Sequence, residues 1–102
     1  MISTLIAAIV LQASPVDTLV ENALQVTTSQ GSYVTYFNAD GTYTTNVGIA
    51  GTWTVNGDQI CVQRSTGESG CAPIAQDLSV GSSWQGQNAA TGEMVTYTIV
   101  SR

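Results

Sequence analysis

The sequence predicts an all-β fold: a small antiparallel up-and-down meander of about eight strands, closed as a barrel or strongly curled. Three observations predict it. Through residues 33–64, β-branched and aromatic residues alternate with polar ones, the period of a half-buried strand. Asp40-Gly41 and Asn56-Gly57 break that run, and such dipeptides between alternating residues are strong hairpin signals. Further turn clusters at 29–31, 76–81 and 88–92 cut the remainder into short segments.

The chain has 102 residues, enough for one domain. Only 9% of residues are charged; Lys and His are absent, Arg64 and Arg102 are the only bases, and the net charge is −5. Such a chain gains nothing from a phosphate backbone, so nucleic acid is not an expected partner. An anionic membrane surface would repel it as well. A cationic partner is compatible with the charge, although modest acidity serves solubility first.

Residues 2–11 are apolar apart from Ser3 and Thr4. That is too short to span a bilayer, which takes roughly 20 residues. Residues 1–13 read as a secretory signal peptide, with Leu11-Gln12-Ala13 before the cut. The n-region lacks Lys and Arg, and Leu11 is larger than the usual small residue; a first core strand is the competing reading. The expected location is secreted or periplasmic. Residues 14–23 form a leader, and residues 24–102 the β-meander domain.

In the leader, Ser14-Pro15-x-Asp17 can cap a helical turn with Leu19, Val20 and Ala23 on one face, or lead loosely into the first strand. The first strand covers 24–28 and the second 32–38. Ala39-Asp40-Gly41 suits a three-residue hairpin with Gly41 left-handed. That register sets Phe37 opposite Tyr43 and gathers Phe37, Tyr43, Tyr33 and Val47 on one face. The third strand covers 42–47, and 48–50 returns the chain.

The fourth strand covers 51–55. A two-residue loop at Asn56-Gly57 would pair Val55 with Asp58, Trp53 with Ile60 and Thr52 with Cys61. Trp53, Val55, Ile60 and Val62 then face the core, and Thr52, Thr54, Gln59 and Cys61 face outward. A sixth strand at 71–75 is restricted to an edge by Pro73. A seventh at 82–87 carries Trp84 and a bulge at Gly86. The last, 93–101, puts Val95, Tyr97 and Ile99 on one face. The expected core is Phe37, Tyr43, Trp53, Val55, Ile60, Tyr97 and Ile99.

Cys61 and Cys71 are the only cysteines. In an exported chain the pair reads as one disulfide, outside the sheet, tying down a flap around residues 64–70. Such a loop closure contributes on the order of 2–3 kcal/mol. Two thiols without His lack the remaining ligands of a zinc site.

Phe37-x-x-Asp40-Gly41-Thr42-Tyr43 followed by Gly51-Thr52-Trp53-Thr54-Val55-x-Gly57-Asp58 resembles a pattern of small lipocalin-like exported bacterial domains. The resemblance covers about residues 30–63. It consists of turn glycines and core aromatics, so it implies a calycin-type fold and brings no catalytic residue with it.

Nucleophilic catalysis needs a base beside Ser, Thr or Cys, and His and Lys are both missing. A carboxylate-based hydrolase is the one enzymatic option left. No metal or cofactor motif is present in the sequence. The expectation is a non-enzymatic binding module for a protein partner or a small apolar ligand, inhibitor-like in the first case. The alternative is a structural or envelope-associated domain. In a meander the turns alternate between ends. One end collects 29–31, 48–50, 65–70 and 88–92, whose longer Gly- and Ser-rich loops suit recognition. The expected binding residues there are Ser65, Thr66, Glu68, Ser69, Ala89, Ala90 and Thr91. The rival site is the opposite end, with Asp40, Asp58 and Asp77. Rows of outward Thr on 42–44, 52–54 and 96–98 are better read as good exposed strand residues than as a ligand-binding array.

Overall fold

The computed structural model describes residues 14–102; the expected signal peptide, residues 1–13, lies outside them. One short helix, α1 (Pro15–Glu21), precedes eight strands: β1 (Ala23–Thr28), β2 (Gly31–Phe37), β3 (Thr42–Thr45), β4 (Ala50–Asn56), β5 (Gln59–Arg64), β6 (Ser69–Pro73), β7 (Ser83–Gln87) and β8 (Met94–Val100). The ambiguity in the leader resolves as a helix. Ser14 caps it by accepting the Asp17 N–H at 3.1 Å, and Pro15 opens its first turn, where a missing N–H costs nothing. No helix of the described residues is long and apolar enough to cross a membrane.

All eight strands form one antiparallel sheet in the order β6-β5-β4-β3-β2-β1-β8-β7. β8 pairs with β1, so the first and last strands meet as in an up-and-down barrel. The sheet opens instead between β6 and β7. Ile74 and Leu78, from the 74–82 connection across that seam, pack against the core. On the other side of the connection, a Cβ built on Gly70 would overlap the Ala89 carbonyl oxygen. The two edges therefore touch at one end and are covered by a loop at the other, which protects them from pairing with foreign strands.

The inward residues run in cross-strand rows, as strict alternation requires. One row is Phe37–Tyr43–Gly51–Arg64. Another is Tyr33–Val26–Tyr97–Trp84. A third is Thr35–Leu24–Ile99, where Ile99 is 1% exposed. Phe37 stands edge-on to Trp53, centroids 5.7 Å apart, and the Trp53 indole N–H donates to the Asn38 carbonyl at 2.9 Å. Trp53 and Tyr97 are half-buried against this core.

The hairpin at 39–41 forms as expected, with Phe37 opposite Tyr43 and Gly41 at φ +90°. The next hairpin slides. Asn56 pairs with Gln59, Val55 with Ile60, Trp53 with Val62 and Thr54 with Cys61, so the two-residue loop is Gly57-Asp58. Gly57 takes φ +64° and Asp58 does not join it at positive φ. Gly at the first central position is the type II′ pattern, which competes here with the type I′ turn of Asn-Gly. The slip moves each pairing by two residues, so the faces survive. Val55 is nevertheless 44% exposed, because β3 reaches only as far as Thr52 on β4 and leaves Val55 without a neighbour on that side, whereas its partner Ile60 is flanked by Ala72; Val55 is not a core residue. Val47 is also exposed, since β3 ends at Thr45 and the chain turns through 46–49. No bulge occurs at Gly86: it pairs regularly with Val95, and a Cβ there would rest in ordinary contact with the Tyr97 ring at 3.4 Å.

Cys61 and Cys71 form a disulfide. They are direct partners of β5 and β6, with Cα atoms 4.0 Å apart. The bridge lies on the outer face as expected. It joins two paired strands of the sheet, however, and not a flap, because β6 begins at Ser69. Pro73 ends β6, an edge strand, where its missing N–H breaks no ladder.

Arg102 closes the other end of the chain. Its Nη2 donates to the Phe37 carbonyl and to Asn38 Oδ1, both at 3.0 Å, and the guanidinium lies 5.3 Å from the Tyr36 ring centroid. The C-terminus is thereby pinned beside the end of β2.

Candidate functional site at the Arg64 end

The two ends of the barrel differ in kind. At the end carrying the 39–41 and 57–58 turns, α1 packs on β1 and β2, and the buried Leu19 reaches the lumen as a plug. The carboxylate of Asp40 accepts from the Thr42 N–H at 3.0 Å and from its hydroxyl at 2.7 Å. Those bonds hold its pKa below the ordinary value. This is local turn chemistry. Asp77 sits in the 74–82 connection at φ +57°. Among the described residues no group of three or more His, Cys, Asp or Glu is placed to hold a metal ion.

The opposite end holds a polar cluster that sequence reasoning missed. Arg64, the last residue of β5, points inward after Ile60 and Val62. Its side chain is only 11% exposed. Nη2 donates to the Tyr33 hydroxyl at 3.2 Å. Nη1 lies 3.7 Å from a carboxylate oxygen of Glu68 at the rim. Asn88 is buried, and its Nδ2 also donates to the Tyr33 hydroxyl, at 3.1 Å. Its Oδ1 accepts from the Ala90 N–H at 2.9 Å, which settles the orientation of the amide.

Two buried atoms of this cluster have no hydrogen-bond partner among the described residues: the Tyr43 hydroxyl and Arg64 Nε. Both residues line a half-open cavity on the inner face of the sheet. Burial pushes the Tyr43 pKa up, and the neighbouring Arg64 only partly offsets this, so the phenol stays protonated near neutral pH. The cavity has a volume of about 70 Å³ and is otherwise walled by apolar groups such as Leu24, Val26, Ile60, Leu78 and Trp84. That is well under the roughly 300 Å³ at which ordinary ligand pockets begin. It exceeds the ~10–15 Å³ that one water needs.

The seven expected binding residues do gather at this end, in two loops that touch through Gly70 and Ala89. Their parts differ. Ala89 and Ala90 line the cavity. Glu68 is exposed, and the Thr66 hydroxyl donates to it; that bond, with Arg64 adding less, lowers its pKa. The Ser65 N–H donates to the Ala50 carbonyl at 2.9 Å, and Ser69 pairs with Gln63, so both extend the sheet. Thr91 Oγ1 accepts from the Glu93 N–H at 3.3 Å inside its own turn. The inward functional groups are Arg64, Tyr33, Tyr43 and Asn88. Continuing the alternation Ile60, Val62 by one step would have found Arg64. Asn88 carries no such signal, since it begins a loop.

Tyr97 borders the cavity and donates to the Gln87 carbonyl at 2.6 Å. Burial, with the nearby Tyr33 adding to it, raises its pKa from 10.0 to about 12. The unfolded chain therefore loses this proton first. Tyr97 contributes stability in full below pH 10, and that contribution drains away as pH rises through about 12. Urea midpoints measured from pH 9 upward should fall across this window, and Tyr97→Phe should flatten the fall. An equal slope in both proteins would show that Tyr97 does not titrate this way.

No protein-family model, no curated protein and no solved structure matches the chain.

Proposed function

We propose that the protein is an exported, non-enzymatic binding module that takes a compact small molecule at the Arg64 end of the barrel. The observation that carries this reading is the cluster itself: an almost buried cation and a buried phenol, each with an unpartnered atom, at the edge of an apolar cavity. Buried polar atoms without partners are costly, on the order of 1–3 kcal/mol each, and such atoms call for a functional explanation. The plugged acidic end offers no equivalent.

Export rests on the expected signal peptide and is supported by the Cys61–Cys71 bridge, since disulfides persist in oxidising compartments. A binding role without catalysis is supported by the commitments of the carboxylates. Without His or Lys, a hydrolase would need a carboxylate acid–base pair, and the one carboxylate beside the Arg64 cluster, Glu68, is engaged by the Thr66 hydroxyl and Arg64. The exposed apolar residues Val47, Val55, Val80 and Met94 belong to different turns and strands, so they do not argue for a protein partner.

The test is an NMR titration of the disulfide-intact domain with a library of neutral and charged fragments of four to eight heavy atoms. Saturable shifts confined to Tyr33, Tyr43, Arg64 and the 88–91 turn are the expected result. If no fragment of any charge perturbs these residues, the domain is structural and the binding reading falls.

A further inference from the structure

We propose that the Cys61–Cys71 bridge is an exchange site for small thiols, opened by a thiolate at Cys71 while the domain stays folded. It lies on the outer face of the sheet and does not depend on the binding reading above.

The ladder holds this hairpin without help from the bridge. The Arg64 N–H donates to the Glu68 carbonyl at 2.8 Å, and the Ile74 N–H to the Asp58 carbonyl at 2.9 Å. Hydrogen-bonded and non-hydrogen-bonded pairs alternate along an antiparallel ladder. Val62 with Gly70 and Ile60 with Ala72 are then hydrogen-bonded pairs, and Cys61 and Cys71 face each other between them. Backbone bonds thus bracket the bridge on both sides and keep β5 and β6 in register. The cysteines are 10 residues apart, and a ring that short constrains the unfolded chain less than a long one. The core contacts of the two strands come from Ile60 and Ala72, which are buried on the other face, so opening the bridge exposes no core.

Access separates the two sulfurs. Cys71 is exposed and Cys61 half-buried. The bridge borders a shallow hollow on the outer face with Thr52, Thr54, Gln63 and Ser69. A thiolate displaces one sulfur by approaching the other from the far side of the S–S bond, and access decides which is attacked. β6 is the last strand on its side of the sheet, so the far side of Cys71 is an edge. Ala89 meets that edge at Gly70, on the inner face. The far side of Cys61 is β4, where Thr54 is its direct partner. Attack therefore falls on Cys71. The incoming sulfur bonds to Cys71 Sγ, the Cys61–Cys71 bond breaks, and its electron pair leaves on Cys61 Sγ, which takes a proton from water. The thiol is oxidised to a mixed disulfide and Cys61 is reduced. The ladder keeps Cys61 beside Cys71, so the reverse attack is intramolecular and the bridge reseals when the thiol is withdrawn. Exposed disulfides are the exchangeable kind.

The experiment treats the oxidised domain with β-mercaptoethanol, cysteamine or glutathione in mildly alkaline buffer, once folded and once unfolded in urea. Samples are quenched in acid and the adducts mapped by peptide mass spectrometry. The folded protein should open within about tenfold of the unfolded rate, since access to an exposed sulfur governs it. The adduct should sit on Cys71, and the circular dichroism should stay that of the folded domain. If thiols reach the bridge only in the unfolded chain, whose population is ~10⁻³ or less, the folded protein reacts at least about a thousandfold more slowly; that result would overturn the proposal. An adduct mainly on Cys61 would overturn it as well. Thr54→Ala, which clears the far side of Cys61, should raise the share of adduct there. The Cys61→Ser, Cys71→Ser double variant should fold to the same sheet, and its failure to fold would show that the bridge is a structural staple. Reduced thioredoxin opening the bridge where all three small thiols fail would overturn the ligand class.

Discussion

Phe37→Ala should lower the stability of the domain by about 3–5 kcal/mol, the usual cost of truncating a fully enclosed aromatic residue. Phe37 is buried, lies 6.1 Å from the Tyr43 ring centroid and meets Trp53 edge-on. Its removal strips packing from both rings and enlarges a cavity that already exists beside it. In a domain of this size each kcal/mol shifts Tm by roughly 4–8 °C, so a loss of at least about 12 °C is expected. Val55→Ala is the matched control. Sequence alternation placed both residues in one core, yet the structure leaves Val55 exposed near the end of the β4–β5 hairpin. Its truncation should cost under about 1 kcal/mol. Equal losses for the two variants in urea denaturation would mean that the hairpin end is buried.

The contrast shows where a sequence speaks and where it is silent. Period-two alternation assigns faces, and it did so even where the β4–β5 pairing slid by two residues. Depth along a strand is different: it depends on where the barrel wall ends, which no local pattern encodes. The choice between Asn56-Gly57 and Gly57-Asp58 as the loop is a competition between two good turns, decided by the rest of the ladder. The site divides the same way. Its location at the 65–68 and 88–92 loops follows from counting alternating turns. Its chemistry does not, because exposed polar residues are the local signal that a loop offers, while Tyr33, Tyr43 and Arg64 point inward from strands and Asn88 inward from the start of a loop. Arg64 was visible in principle as the third member of Ile60, Val62, Arg64. The seam between β6 and β7, which brings Ala89 against Gly70, comes from the closure of the whole sheet.

The second large effect is expected at Gly51, a position whose importance comes from the absence of a side chain. It stands between Tyr43 on β3 and Arg64 on β5 in one row of the sheet. A Cβ added there would overlap the Gln63 carbonyl oxygen, approach Tyr43 Cε1 to 2.8 Å and the Arg64 Cα to 3.0 Å. Two of those three neighbours are main-chain atoms of β5, so no rotamer change relieves the overlap; the strands must part or Tyr43 must move. Forced insertion into packed structure costs typically about 1–3 kcal/mol, and the backbone clash puts Gly51→Ala at the upper end of that range. The same displacement should separate the Tyr43 ring from Arg64. Gly57→Ala gives the comparison: it is strained by φ +64°, but a Cβ there meets nothing within 4 Å. Both variants should lose stability, and only Gly51→Ala should also shift the Tyr33, Arg64 and Asn88 resonances in the folded state. If Gly51→Ala is as stable as the parent protein, β4 does not approach β5 and Tyr43 as closely as described, and the cluster built across it has a different geometry.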